Sequence, residues 1–221
     1  GITGASAGSG STIAQTLSNP SSSSTGTVQY LVTPTSTATP ACPGPAYTIT
    51  VTVNPTPVVT TASTAVICNG TATNIALTAS AASTFTWTVG TITGGITGAS
   101  AGSGSTIAQT LNNPSNTTAG TIEYIVTPTS TATPACPGPV YTITVTVNPT
   151  PVVTTGTTAV ICNGTATNIA LMASAASTFT WTVGTITGGI TGASAGSGST
   201  IAQTLTNPSN TTAGTVQYLV T

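Results

Sequence analysis

The chain has no lysine, arginine or histidine, and its 221 residues contain one acidic side chain, Glu123. General acid and base chemistry needs a titratable group tuned near the working pH, and only Glu123, the tyrosines and the cysteines are available. One carboxylate cannot make the pair that glycoside hydrolysis uses. Serine and threonine are abundant, yet a hydroxyl nucleophile needs a neighbouring base, and there is no His, Lys or Asp to supply it. The expectation is a protein that is not an enzyme and carries no cofactor.

The same shortages bear on partners. Calcium takes several carboxylates and zinc takes His or clustered thiolates, and the four cysteines never fall in a Cys-x-x-Cys spacing, so no metal is expected. No nucleic acid partner and no anionic membrane is expected either, because phosphate binding relies on Arg and Lys. A net charge of −1 gives no long-range steering. Thr, Ser or Gly interrupts every apolar run before it reaches the roughly 18 residues of a membrane span. The chain opens without a Met or a signal peptide and reads as an excerpt from something longer.

What is present is repetition. The string GITGASAGSGSTIAQTL begins at Gly1, Gly95 and Gly189, a period of 94 residues. Solenoid repeats are about 20 to 50 residues long and cannot bury a core alone, whereas a unit of this size can. With 24 Gly, 15 Pro and abundant Thr, Val and Ser, strands and turns are favoured over helices. The segment Asn54, Pro55, Thr56, Pro57 recurs as Asn148, Pro149, Thr150, Pro151 and sets the phase. Residues 1–54 are then the back of one module, 55–148 a complete module, and 149–221 the front of a third.

Period-2 alternation predicts the strands of the complete module: Pro57 to Ile67, Asn74 to Ser80, Thr84 to Val89, Ser105 to Leu111, Thr121 to Thr127 and Tyr141 to Val147. The glycine-rich residues 94–104 read as loop. Short strands in this number suit tandem all-β modules of the immunoglobulin-like sandwich class. Phe85, Trp87, Tyr124 and Tyr141 fall on inward positions and are expected in the core. An exposed Trp87 would instead suggest a carbohydrate-binding surface. Glu123 alternates outward from Tyr124, and its repeat equivalents Gln29 and Gln217 are uncharged, which fits a solvated position.

One complete module holds one pair of cysteines, Cys68 and Cys136, which are expected to form a disulfide worth about 4 kcal/mol in the chain-entropy model and to imply an oxidising compartment. Cys42 and Cys162 would then pair outside the fragment. The rival pairings, Cys42 with Cys68 and Cys136 with Cys162, would join neighbouring modules. The Asn-x-Thr sequons at Asn69, Asn116, Asn163 and Asn210 mark loops. Threonine rows such as Thr142, Thr144 and Thr146 invite an ice-binding reading, which a twisted sandwich serves poorly.

The succession Ile67 to Val89 followed by Thr121 to Pro151 resembles the PKD-like, Ig-like repeats of very large surface proteins of the Bacteroidota, the gliding-motility adhesins among them. The resemblance rests on Cys68-x-Gly70, Trp87, Tyr124-x-Val126-x-Pro128, Cys136-Pro137-Gly138 and Val147-Asn148-Pro149-x-Pro151. It implies export by the type IX secretion machinery, display outside the cell and service as filamentous stalk repeats. Partners would then be neighbouring repeats, with lateral self-association favoured by uncharged strand edges. The acidic motif of PKD domains proper is missing, since Phe85-Thr86-Trp87-Thr88-Val89 has no Asp beside it.

Overall fold

Threonine and valine lose χ1 freedom in a helix and pack well on a pleated surface, and every regular element of this chain is a strand. The computed structural model describes all 221 residues. Residues 1–54 contribute β1 (Gly26–Val32) and β2 (Tyr47–Val53). The middle of the chain contributes β3 (Thr64–Cys68), β4 (Ile75–Ala76), β5 (Ser83–Ile92), β6 (Gly102–Ser103), β7 (Thr106–Ile107), β8 (Gly120–Ser130) and β9 (Tyr141–Asn148). Residues 149–221 add β10 (Ile169–Ala170), β11 (Thr180–Ile186), β12 (Gly196–Ser197), β13 (Thr200–Ile201) and β14 (Val216–Val220).

The middle strands form a five-stranded sheet, β3-β9-β8-β5-β6, and a small second layer, β4-β7, that the bridges Val59 to Ala79 and Ala72 to Thr110 extend. All pairings are antiparallel except β3 with β9, which runs parallel from Thr64 opposite Thr144 to Cys68 opposite Asn148. Alternation along β5, β8 and β9 turns Phe85, Trp87, Ile122, Tyr124, Val126, Ile143, Val145 and Val147 onto one face. The second layer answers with Val59, Ile75, Leu77, Ile96, Ile107 and Leu111. Each such side chain contributes about 1.5–3 kcal/mol on full burial, and this one core runs from Val59 to Val147. The chain is an all-β, immunoglobulin-like sandwich array.

Four segments depart from the sequence expectation; one of them, Ser105 to Leu111, is regular only over β7 (Thr106–Ile107). The strand anticipated over Pro57 to Ile67 is broken, because its two ends belong to different layers: Thr60 N–H bonds Thr78 O, while β3 lies against β9. The crossing is pinned by the Tyr141 hydroxyl, which donates to Thr61 O at 2.9 Å. The strand anticipated over Asn74 to Ser80 shrinks to β4, because hydroxyls replace part of the ladder. Thr61 Oγ1 accepts from Thr78 N at 2.8 Å, and Ser80 Oγ accepts from Val58 N at 3.0 Å.

The glycine-rich stretch, read as loop, includes β6, which pairs with β5 beside Trp87. Gly102 makes this possible, since a Cβ there would stand 2.6 Å from Trp87 Cζ2. The flanking modules repeat the plan in part. Residues 149–221 form the sheet β12-β11-β14 and the pair β10-β13 around Leu171, Phe179, Trp181 and Ile201. Residues 1–54 form the antiparallel pair β1-β2 with no buried residue. Tyr47, the counterpart of Tyr141, is 70% exposed because residues 1–54 include no counterpart of Thr61.

Candidate functional site

Trp87 is 7% exposed, Phe85 is 6% exposed and Tyr124 is fully buried, so none offers a flat aromatic platform to a sugar. Tyr141 is half-buried at the edge of the core. The polar ends of Trp87 and Tyr124 meet in a closed network around Gln109. Tyr124 OH donates to Gln109 Oε1 at 2.9 Å, Ser100 N donates to the same oxygen at 2.9 Å, and Gln109 Nε2 donates to Ser100 O at 2.8 Å. Trp87 Nε1 also donates to Ser100 O, at 3.2 Å.

Burial pushes the Tyr124 hydroxyl up to about pKa 12, and burial raises Tyr218 as well. The third module builds the same network from Tyr218, Gln203, Ser194 and Trp181. Sequence reasoning passed over Gln109. The signal was a glutamine that recurs at the same place in all three repeats, Gln15, Gln109 and Gln203.

Glu123 is partly buried on the outer face of β8, where its Oε2 accepts the Thr91 N–H at 3.2 Å. That N–H is left free by the irregularity between Val89 and Ile92 in the β5-β8 ladder. Glu123 therefore completes a bulge; it faces no second titratable side chain, and no group of three His, Cys, Asp or Glu residues occurs.

The expected Cys68–Cys136 disulfide is corrected by the topology. Cys68 ends β3 opposite Asn148, the last residue of β9, whereas Cys136 lies in the hairpin that precedes β9. The eight-residue β9 separates them by on the order of 25 Å, far beyond the 4.4–6.8 Å between Cα atoms that a disulfide requires. All four cysteines are free. The alternative pairs, Cys42 with Cys68 and Cys136 with Cys162, join the outer ends of two successive modules and are farther apart still.

The two ends of the middle module are thus chemically distinct. Its N-terminal pole carries Pro57, Ser80 and the 131–140 hairpin, where a Cβ on Gly138 would collide with Pro57 O. Its C-terminal pole carries Cys68, Asn69, Asn113 and Asn116. Asn113 Nδ2 bonds Val147 O at 2.9 Å, and Asn69 Nδ2 bonds Thr150 Oγ1 at 3.2 Å.

Successive modules meet pole to pole. Ser80 Oγ donates to Ser22 O of the preceding module at 2.6 Å, and one period later Ser174 Oγ donates to Asn116 O at 2.5 Å. Asn54 Nδ2 adds a bond to Pro134 O at 3.0 Å across the first junction. The concavity lined by Pro151, Ala176, Ser177 and Thr178 is open to solvent. In the middle module the corresponding residues lie under the hairpin, with Thr131 N bonded to Ala82 O. The junction is the candidate functional site.

No curated protein matches the chain. Among solved structures, the extracellular cadherin domains 3–6 of protocadherin gamma B2 align at 8% identity with a TM-score of 0.34, covering 87% of this chain and 57% of that one. A likeness this loose carries no weight here. The PKD-like domain model matches residues 1–57 and 65–151, well over half of the sequence, with the hairpin and the Pro-rich junction inside the matched parts. The chain belongs to the PKD-like domain family.

Proposed function

We propose that this chain is a length of stalk: tandem PKD-like modules that hold a functional tip of an extracellular adhesion protein away from its anchor, with no catalytic role. One observation carries the reading. The same pole-to-pole hydrogen bond, from Ser80 to Ser22 and from Ser174 to Asn116, recurs at both junctions, so each copy continues the array in the same way. Near-identical copies suit a spacer, because each added repeat changes length and nothing else. Display on the cell surface, export by the type IX machinery and service in gliding rest on the resemblance of the repeats to those of giant adhesins. A sugar-binding role loses its platform with Trp87 buried.

Small-angle scattering on chains of two, three, four and five repeats tests the stalk. With β9 spanning about 26 Å before its loops are added, the maximum dimension should rise by a constant step on the order of 35 Å per repeat. A dimension that levels off as repeats are added would end the proposal.

A further inference from the structure

The poles give the cysteines a partner that no pair within this chain provides. Cys68 faces outward at the C-terminal pole, in register with Asn148 and on the same face of the sheet. Parallel neighbours in a sheet stand about 4.8 Å apart. Asn148 has a counterpart one period earlier, Asn54, whose amide bonds Pro134 O in the hairpin of the next module. The thiol of Cys136 turns to that same oxygen, with Sγ 3.7 Å from Pro134 O. Cys42 does the same with Pro40 O, so the thiol placement is a property of the repeat. The asparagine that flanks one cysteine of the repeat therefore touches the carbonyl that flanks the other, across the junction.

We propose that each module is stapled to the next by a disulfide between its Cys68-type cysteine and the Cys-Pro-Gly hairpin cysteine of the module that follows. Cys68 pairs with the counterpart of Cys136 one period later, and Cys136 pairs with the counterpart of Cys68 one period earlier. The proposal deepens the stalk reading and rests on it. Two thiols lose two protons and two electrons to form the bond, and a disulfide oxidant, oxidised glutathione in the test below, is reduced to two thiols.

The staples change what the array can do when its ends are drawn apart. Only 26 residues run from Cys136 to Cys162, from the N-terminal pole of one module to the C-terminal pole of the next, where a staple takes over. Fully extended, that stretch spans roughly 90 Å, little more than two folded modules, whereas one unstapled module of the 94-residue period could extend to roughly 320 Å. A stapled array is nearly inextensible even with its modules unfolded.

The test uses the whole chain, lengthened in register. In a buffer of reduced and oxidised glutathione at low protein concentration the present chain should form no disulfide between its own cysteines. Continuing it after Thr221 with a copy of residues 128–148 supplies the next hairpin, and peptide mapping should find Cys68 bonded to the added cysteine. Preceding Gly1 with a copy of residues 55–94 supplies the other half, and the bond should form at Cys136. Either bond supports the staple. Cys68 and Cys136 left as thiols or as glutathione mixed disulfides in both lengthened chains, or a bond from either to any other cysteine of the chain, would overturn it. Scattering from the same chains keeps the two ideas apart, since a constant length step with free thiols removes the staple and leaves the stalk.

Discussion

Replacing Tyr124 with phenylalanine isolates one hydroxyl and one pH effect. The ring is retained, so the buried area is nearly unchanged. The loss is the bond to Gln109 Oε1, which still receives Ser100 N, and about 1 kcal/mol of stability should go at neutral pH. The larger consequence lies at high pH. In the unfolded chain a tyrosine releases its proton near pH 10, while in the folded module Tyr124 holds it to about 12. Between those values the folded state binds more protons than the unfolded one, so stability falls as pH rises.

Linkage gives a loss of about 2 kcal/mol between about pH 9 and about pH 11.5, and that slope should vanish in Tyr124→Phe. Urea unfolding followed by tryptophan emission reads it, in a Trp181→Phe background so that Trp87 alone reports. An unchanged alkaline slope in Tyr124→Phe would refute the account of the buried hydroxyl.

Three other substitutions probe separate parts. Gly102→Ala puts a methyl 2.6 Å from Trp87 Cζ2, and it should cost about 1–3 kcal/mol with a red shift of Trp87 emission. Asn113→Ala removes the amide bonds to Thr118 O and Val147 O and the acceptor for Ser115 N; a loss of about 2–3 kcal/mol is expected, with faster hydrogen exchange at Ser115. Ser80→Ala cuts the bond to Ser22 O and removes the acceptor of Val58 N, and a loss of about 1 kcal/mol is expected. Nitrogen-15 relaxation should show the first two modules tumbling more independently, and unchanged relaxation would mean that the linker and the Asn54 to Pro134 bond hold the junction without it.

The all-β class was readable because alternation is a local property. Thr84 to Val89 and Tyr141 to Val147 put an apolar residue at every second position, and a half-buried strand is the structure that satisfies that pattern. What was not readable was long-range. Nothing local in Pro57 to Ile67 says that the chain changes layers near Thr61; the cause is the Tyr141 hydroxyl, 80 residues away. The segment around Gly102 looks like loop because its role, lying across the Trp87 ring, needs the absence of a side chain. The cysteines misled for a related reason. A repeat length says which residues recur, but the pole each occupies depends on strand direction, and parallel β3 sends Cys68 to the end away from Cys136.

That parallel pair also sets a problem for the chain during synthesis. β3 must wait for β9, whose Thr144 follows Thr64 by 80 residues, while an identical segment has already emerged. Tyr47 to Asn54 repeats Tyr141 to Asn148 residue for residue, so β2 presents to β3 the same surface as its proper partner. Tandem domains of like sequence are prone to such mispairing. A parallel pair between consecutive strands needs a crossover of a dozen or more residues. Only residues 55–63 separate Asn54 from Thr64, and two of those nine are prolines. The wrong strand is close in sequence but out of reach in space, and the short linker keeps each copy from folding onto its predecessor.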